Sequence, residues 1–201
     1  METRETWRID PESSTLGFSL RHKLLGQLRG KIECWGGKIL FDREDPSRSA
    51  VRIWVDLSSI DTGSPERDDY ILGTDLFDVR WEPALVFDSE HVDIDDDRHA
   101  AVVGSLTLQS IRKQIVVEIE ASLPQGDGGF AGTARASISR AAFRLRRPSR
   151  LGDLLSDAML GDEIEVAAQI EATRVQSTSI SSPIGRPDEG IGFTHVGSQV
   201  T

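Results

Sequence analysis

Apolar and polar residues alternate with a period of two over several stretches of this chain. That pattern is expected where one face of an extended strand is buried, because successive strand side chains point to opposite faces. Leu16, Phe18, Leu20 and His22 share one face, with Gly17, Ser19 and Arg21 on the other. Val51, Ile53, Val55 and Leu57 repeat the pattern against Arg52, Trp54 and Asp56. Ile115, Val117, Ile119, Ala121 and Leu123 do so against Gln114, Glu118 and Glu120. Near the end of the pattern, Ile164, Val166, Ala168, Ile170 and Ala172 oppose Glu163, Glu165, Gln169 and Glu171. A helix would scatter those glutamates around its circumference.

Further strands are expected near Trp7 and over 32–41, 84–92, 100–108 and 130–138, with polar or Gly-rich turns at 93–98 and 125–129. About eight strands, each beside the next, predict an all-β fold, either a closed antiparallel meander barrel or a sandwich. Ser64 can cap and Pro65 suits a first helical position, so a short helix is expected over 65–76. A second short helix is expected over 151–160. The two would sit on the rim and close the mouth. After Arg174 the chain turns to Ser, Gly, Thr and Pro with isolated apolar residues. Such a stretch buries too little apolar surface to offset its ordering entropy. The expected organisation is one barrel domain over 1–173 and a flexible tail over 174–201, with a docking arm through Ile191 and Phe193 as the alternative for the tail.

A length of 201 residues suits one all-β domain. The net charge of −10 repels nucleic-acid phosphate and anionic headgroups, so neither a nucleic-acid partner nor a stable membrane anchor is expected. No run of about 18 apolar residues occurs, and the N-terminus has no basic segment leading into an apolar one. A cytoplasmic location is the expectation. Cys34 is the single cysteine, which excludes an internal disulfide, and the four histidines are too dispersed for a metal-ligand motif. Nucleophile-elbow, phosphate-loop and dinucleotide fingerprints are all missing.

Three groups could still carry chemistry. His22 ends an inward-facing apolar row, where an imidazole could donate to a ligand headgroup or hold a rim carboxylate; the alternative is a structural histidine bonded to backbone. Arg67 could clamp a phosphate or quinone oxygen through its fork of donors, or pair with Asp61 or Asp75. Asp75 could also cap the turn before Phe77. No catalytic role is assigned to Asp61, Arg67, Asp68 or Asp75. Arg140, Arg144, Arg146, Arg147 and Arg150 form a basic cluster in an acidic chain. It could grip an acidic headgroup or partner, or pair with the Asp-rich turn at 93–97.

The stretch Ser59-Ile60-Asp61-Thr62-Gly63, followed by Arg67-Asp68 and Asp75-Leu76-Phe77-Asp78-Val79, resembles the signature of the YceI-like, polyisoprenoid-binding family. Other family-like pieces follow in the family's order: Trp7 to Pro11, Phe18 to His22, Gly37 to Ile39, Pro83 to Ser89, Gly104 to Thr107, and Ile138-Ser139-Arg140 before Phe143. Together they cover roughly residues 5–173. The chain departs from the pattern with Ser13 and Tyr70 where histidines are usual, Leu76 for a Phe and Arg144 for a Gly. The resemblance implies an antiparallel eight-stranded lipocalin-like barrel that holds a long isoprenoid chain, and selects the barrel over the sandwich. Many relatives of this kind are exported.

On that basis the candidate ligand contacts are Phe18, Leu20, His22, Ile53, Val55, Arg67, Tyr70, Ile71, Phe77, Phe87, Leu106, Leu108, Ile115 and Val117, with Ile138 in the same interior set. No metal ligand or catalytic residue is assigned, and no cofactor is called for beyond a bound isoprenoid lipid. The expected partner is an apolar small-molecule lipid, with a homodimer left open. Two rival readings stand beside the carrier. One is a barrel enzyme acting on a polyketide- or terpenoid-like substrate, with His22 or Tyr70 as proton donor; the other is a protein-interaction module using the acidic face or the tail.

Overall fold

The alternating stretches fold as strands. In the computed structural model, which describes residues 4–73, 83–122, 129–145 and 159–175, the chain begins with β1 (Arg4–Ile9), β2 (Thr15–His22), β3 (Gly26–Ile32), β4 (Trp35–Asp42) and β5 (Ala50–Asp56). The two-residue β6 (Ile60–Asp61) and the helix α1 (Pro65–Leu72) follow. Then come β7 (Ala84–Ile94), β8 (His99–Leu108), β9 (Ile111–Ser122), β10 (Phe130–Ser139) and β11 (Leu160–Arg174). All strand pairs are antiparallel.

Eight strands close a ring in the order β1, β4, β5, β7, β8, β9, β10, β11, and β11 returns to β1 through Trp7–Arg174, Arg8–Thr173 and Ile9–Ala172. Closure leaves the ring without a free sheet edge. The other three strands prolong staves of this ring beyond kinks. One edge of β11 pairs with β1 near its C-terminus and with β2 over Leu160 to Gln169, so β1 and β2 lie end to end. In the same way β3 extends β4, and β6 extends β5.

The kinks have local causes. Between β1 and β2, Pro11 has no N–H for a ladder, and Asp10 folds the segment by accepting from Glu12 N–H and the Ser13 hydroxyl. Ser14 then replaces the missing ladder bonds, donating its hydroxyl to Glu171 O and accepting from Glu171 N–H. Between β5 and β6 a 3-10 turn, Leu57–Ser59, is capped by Asp56, which accepts from Ser58 N–H at 2.9 Å.

The interior is apolar and fitted around aromatic rings. Trp7, Ile9, Leu108, Phe143 and His22 are the largest fully buried side chains. The Phe18 ring lies over Gly30, and the Phe87 ring over Gly104, where a Cβ would collide with it.

Some expectations change here. β3 is a strand the alternation did not single out, since Gly26 and Gly30 dilute its pattern. α1 begins with Pro65 as expected, but Ser64 makes no side-chain cap bond, and Gly73 follows the last helical residue. Leu160, expected in a helix, opens β11 instead. Arg174 ends that strand, and Val175 N–H still donates to Thr6 O at 2.8 Å, so the barrel extends past the expected boundary. Residues 151–158 of the expected second helix, residues 74–76 and the tail from 176 lie outside the described residues.

Candidate functional site

The inward faces of the staves do not fill the barrel. Three cavities follow one another along its axis, of about 120, 150 and 210 Å³. The first, at the α1 end, shares Ile32, Leu85, Leu106, Ile138 and Val166 with the middle one. The middle cavity shares Val51, Ile53, Val102, Ile119 and Ile170 with the third, which ends at the β7–β8 turn beside Asp96 to His99. Together they reach the size range of small-molecule pockets, about 300–1,000 Å³. β8 spans ten residues, which at about 3.4 Å each and a tilt near 40° places the three cavities along roughly 25 Å of the barrel axis.

Small residues keep the middle open. Ala134, Ala136 and Ala168 face it from β10 and β11, opposite larger Leu, Ile and Phe side chains. The wall is almost wholly hydrocarbon. Leucine, isoleucine and valine dominate it because each strand's polar residues are turned out by the pleat.

Polar groups gather at the ends. At the α1 end, Arg67 donates from Nε to the Thr62 hydroxyl at 3.2 Å and from Nη2 to Thr62 O at 2.8 Å. Asp68 fixes the same threonine, accepting from its N–H at 3.0 Å and its hydroxyl at 2.6 Å. Arg67 thus borders the cavity, held by Thr62 rather than by Asp61. Asp61 accepts from Gly63 N–H and pairs with Lys31 at 3.1 Å, which together hold its carboxyl below the usual range. Arg140 is buried on the same cavity and donates to Gly161 O at 3.0 Å. Asp162 braces that corner by accepting from Ala141 N–H and the Ser139 hydroxyl.

His22 is 1% exposed, and its Nδ1 accepts from the N–H groups of Leu24 at 3.1 Å and Leu25 at 3.0 Å. Those bonds shape the β2–β3 turn, and His22 lines none of the three cavities.

The structure brings most of the expected contacts together. Phe18, Leu20, Arg67, Ile71, Leu106 and Leu108 line the α1-end cavity. Ile53, Val55, Phe87, Ile115 and Val117 line the middle one, and Ile138 borders both. Phe77, Asp75 and the side chain of Tyr70 lie outside the described residues, as do Arg146, Arg147 and Arg150. Arg140 and the turn at 93–97 stand at opposite ends, which separates this part of the basic cluster from the acidic turn it was offered as a partner. Arg144 is exposed at a φ of 58°, where a glycine would sit without strain.

Among the α1-end wall residues that sequence reasoning did not name as contacts are Leu28, Leu57, Ile60, Leu85, Leu145 and Leu160. Leu28 was readable in hindsight, being two residues from Gly30 and four from Ile32 on one strand face. Among the described residues no group of three or more His, Cys, Asp or Glu could hold a metal ion, and no helix is long and apolar enough to cross a membrane.

A closed antiparallel barrel of eight staves around apolar cavities along its axis defines a lipocalin-like β-barrel protein. The chain belongs to the YceI-like domain family, whose model matches residues 7–172. A UPF0312 protein of Pseudomonas aeruginosa is 28% identical over 170 residues, covering 84% of this chain and 86% of its own. The crystal structure of Burkholderia cenocepacia BcnA superposes with a TM-score of 0.72 at 19% identity, covering 82% of this chain and 99% of that one. A polyisoprenoid binding domain from Saccharophagus degradans gives 0.65 at 14% identity, covering 84% and 98%. At such identities the likeness shows the fold.

Proposed function

We propose that this protein binds one long apolar ligand, a polyisoprenoid or isoprenoid quinone-like lipid, along the barrel axis and sequesters or carries it. The observation that carries the reading is the series of three cavities with shared hydrocarbon walls. Transfer of an alkyl chain from water into such a tube yields about 0.8 kcal/mol per CH₂. Fifteen carbons give roughly 12 kcal/mol before ordering costs of several kcal/mol, enough for micromolar binding without a headgroup contact. The Saccharophagus degradans domain with the same fold is described as polyisoprenoid binding, which supports the choice of ligand class.

The polar head of the ligand is assigned to the α1 end. Arg67 borders the cavity there with two of its N–H groups on Thr62, and its remaining donors suit an oxygen-bearing head. The other end is bordered by a mixed set, Asp96 and Asp97 with Arg98 and His99, in which Arg98 already pairs with Glu120 and His99 with Asp96.

Organic extraction of the purified protein followed by mass spectrometry tests the reading. A stoichiometric long-chain lipid is the expected result. A protein that yields no lipid and takes up no polyene probe would sink it.

A further inference from the structure

The charge of this chain is unevenly distributed. From Ser13 to Ile32 there is no acidic residue, while Arg21, Lys23, Arg29 and Lys31 fall within it. That acid-free segment is the β2–β3 hairpin. At its tip Leu24 and Leu25 are 68% and 57% exposed, the most exposed large apolar side chains among the described residues.

The tip is not slack. Buried His22 accepts from both leucine N–H groups, Gly26 takes a φ of 82°, and Lys23 N–H donates to Met159 O at 2.9 Å. Two leucines are therefore held out in water by a preformed turn, which spares the ordering cost of binding. Just behind them, paired Leu20 and Leu28 line the α1-end cavity. The apolar tip adjoins the end of the tunnel.

We propose that this hairpin tip docks the barrel on an anionic lipid bilayer, with Leu24 and Leu25 in the acyl boundary and Arg21 and Lys23 among the headgroups. The proposal rests on the tunnel reading only for what docking would serve, passage of cargo between tunnel and bilayer without crossing water. Apolar residues flanked by cations suit the chemistry of a membrane interface. Neither Arg21 nor Lys23 has an ion-pair partner among the described residues. Lys31, in contrast, is engaged by Glu33 and Asp61.

The overall charge of −10 does not prevent this orientation. The acidic turn at 93–97 is at the opposite end of the barrel, roughly 25 Å away, and the Debye length is about 8 Å at physiological salt. At the α1 end Glu66, Asp68 and Asp69 are carried by a separate element, α1. Of the nearby carboxylates Asp68 is committed to Thr62, Asp61 to Lys31, and Asp162 to Ala141 N–H and the Ser139 hydroxyl, while Glu163 is an exposed carboxylate of β11, the strand beside β2.

The test is co-sedimentation of the full chain with equimolar phosphatidylcholine–phosphatidylglycerol vesicles, alongside titration of the same proteins with the fluorescent polyene cis-parinaric acid. Leu24→Ser with Leu25→Ser should weaken vesicle affinity about a hundredfold, tenfold for each leucine. Arg21→Gln with Lys23→Gln should weaken it about twentyfold and flatten its salt dependence. Leu24→Trp should strengthen it and show a blue shift of indole emission on vesicle addition. Polyene binding should survive in every variant.

Vesicle affinity unchanged by the leucine pair, or no blue shift from Leu24→Trp, overturns the proposal. So does self-association that the leucine pair abolishes in a protein without vesicle affinity, which would make the tip a homodimer contact. Vesicle binding with no polyene uptake leaves docking standing and counts against the tunnel reading alone.

Discussion

At the β7–β8 end of the barrel the cavity is bordered by Asp96, Asp97, Arg98 and His99, and Asp96 is used up in holding the turn. Asp96 accepts from the N–H groups of Arg98 and His99 at 2.8 Å each and from the His99 ring at 2.9 Å. These bonds, led by the one from Arg98 N–H, hold its carboxyl at about 2 instead of 3.8. At the α1 end the charged groups lining the cavity are the guanidiniums of Arg29, Arg67 and Arg140; Arg29 is held by Gln27, and Arg67 keeps donors beyond the two on Thr62. Charge at one end is structural, whereas at the other it stands where a ligand head would arrive. The two ends of the apolar interior are thus chemically unlike.

The largest effect should come from His22, the buried anchor of the α1-end hairpin. His22→Ala should cost about 2–4 kcal/mol in urea unfolding, since it leaves a cavity and two N–H groups without their acceptor. Connection between the two ends is broken by Ala136→Phe with Ala168→Phe, which fills the middle cavity. That pair should lower affinity for a long polyene about thirtyfold with little change in the circular dichroism, on the order of 2 kcal/mol. Equal affinity would mean that each end binds without the other.

Arg67→Met sharpens the contrast in head chemistry. It should weaken a carboxylate-headed polyene about fivefold and leave a neutral hydrocarbon unaffected, as expected for loss of one charge-assisted hydrogen bond facing solvent. The smallest effect belongs to the acidic end. Because the folded Asp96 carboxyl lies below its unfolded value of 3.8, its contribution to stability is present above about pH 4 and is lost as the pH falls toward about 2. Asp96→Asn should flatten that limb of the acid-unfolding curve and leave ligand affinity unchanged.

The two ends also differ in how far they could be read beforehand. β5, β9 and β11 were legible because charged or polar residues occupy their outward positions almost without interruption. β3 escaped notice because two glycines stand where side chains would have marked its faces, and one of them makes room for Phe18. Part of the cavity wall could be read from the alternation, as with Phe18, Leu20, Ile53, Val55, Ile115 and Val117, since an inward face is a local property, whereas Leu57, Ile60, Leu85 and Leu145 were not singled out as contacts. His22 was correctly placed on an inward row, yet its ring serves the turn two residues on. By sequence Arg140 is one of a basic cluster of five arginines that could grip an acidic group or pair with the turn at 93–97, and it is buried beside the α1-end cavity, donating to Gly161 O.

By itself the amino-acid order determined which side of each strand faces away from water, and hence a barrel or sandwich of antiparallel strands, because alternation depends only on neighbours along the chain. That the ring closes through Trp7 and Arg174 and leaves a series of cavities along its axis was decided only by tertiary structure. A void depends on how Phe18, Leu106 and Ile138 meet across distances of many residues, and on small alanines lying opposite them. Packing between distant strands sets that space, and no local pattern records it.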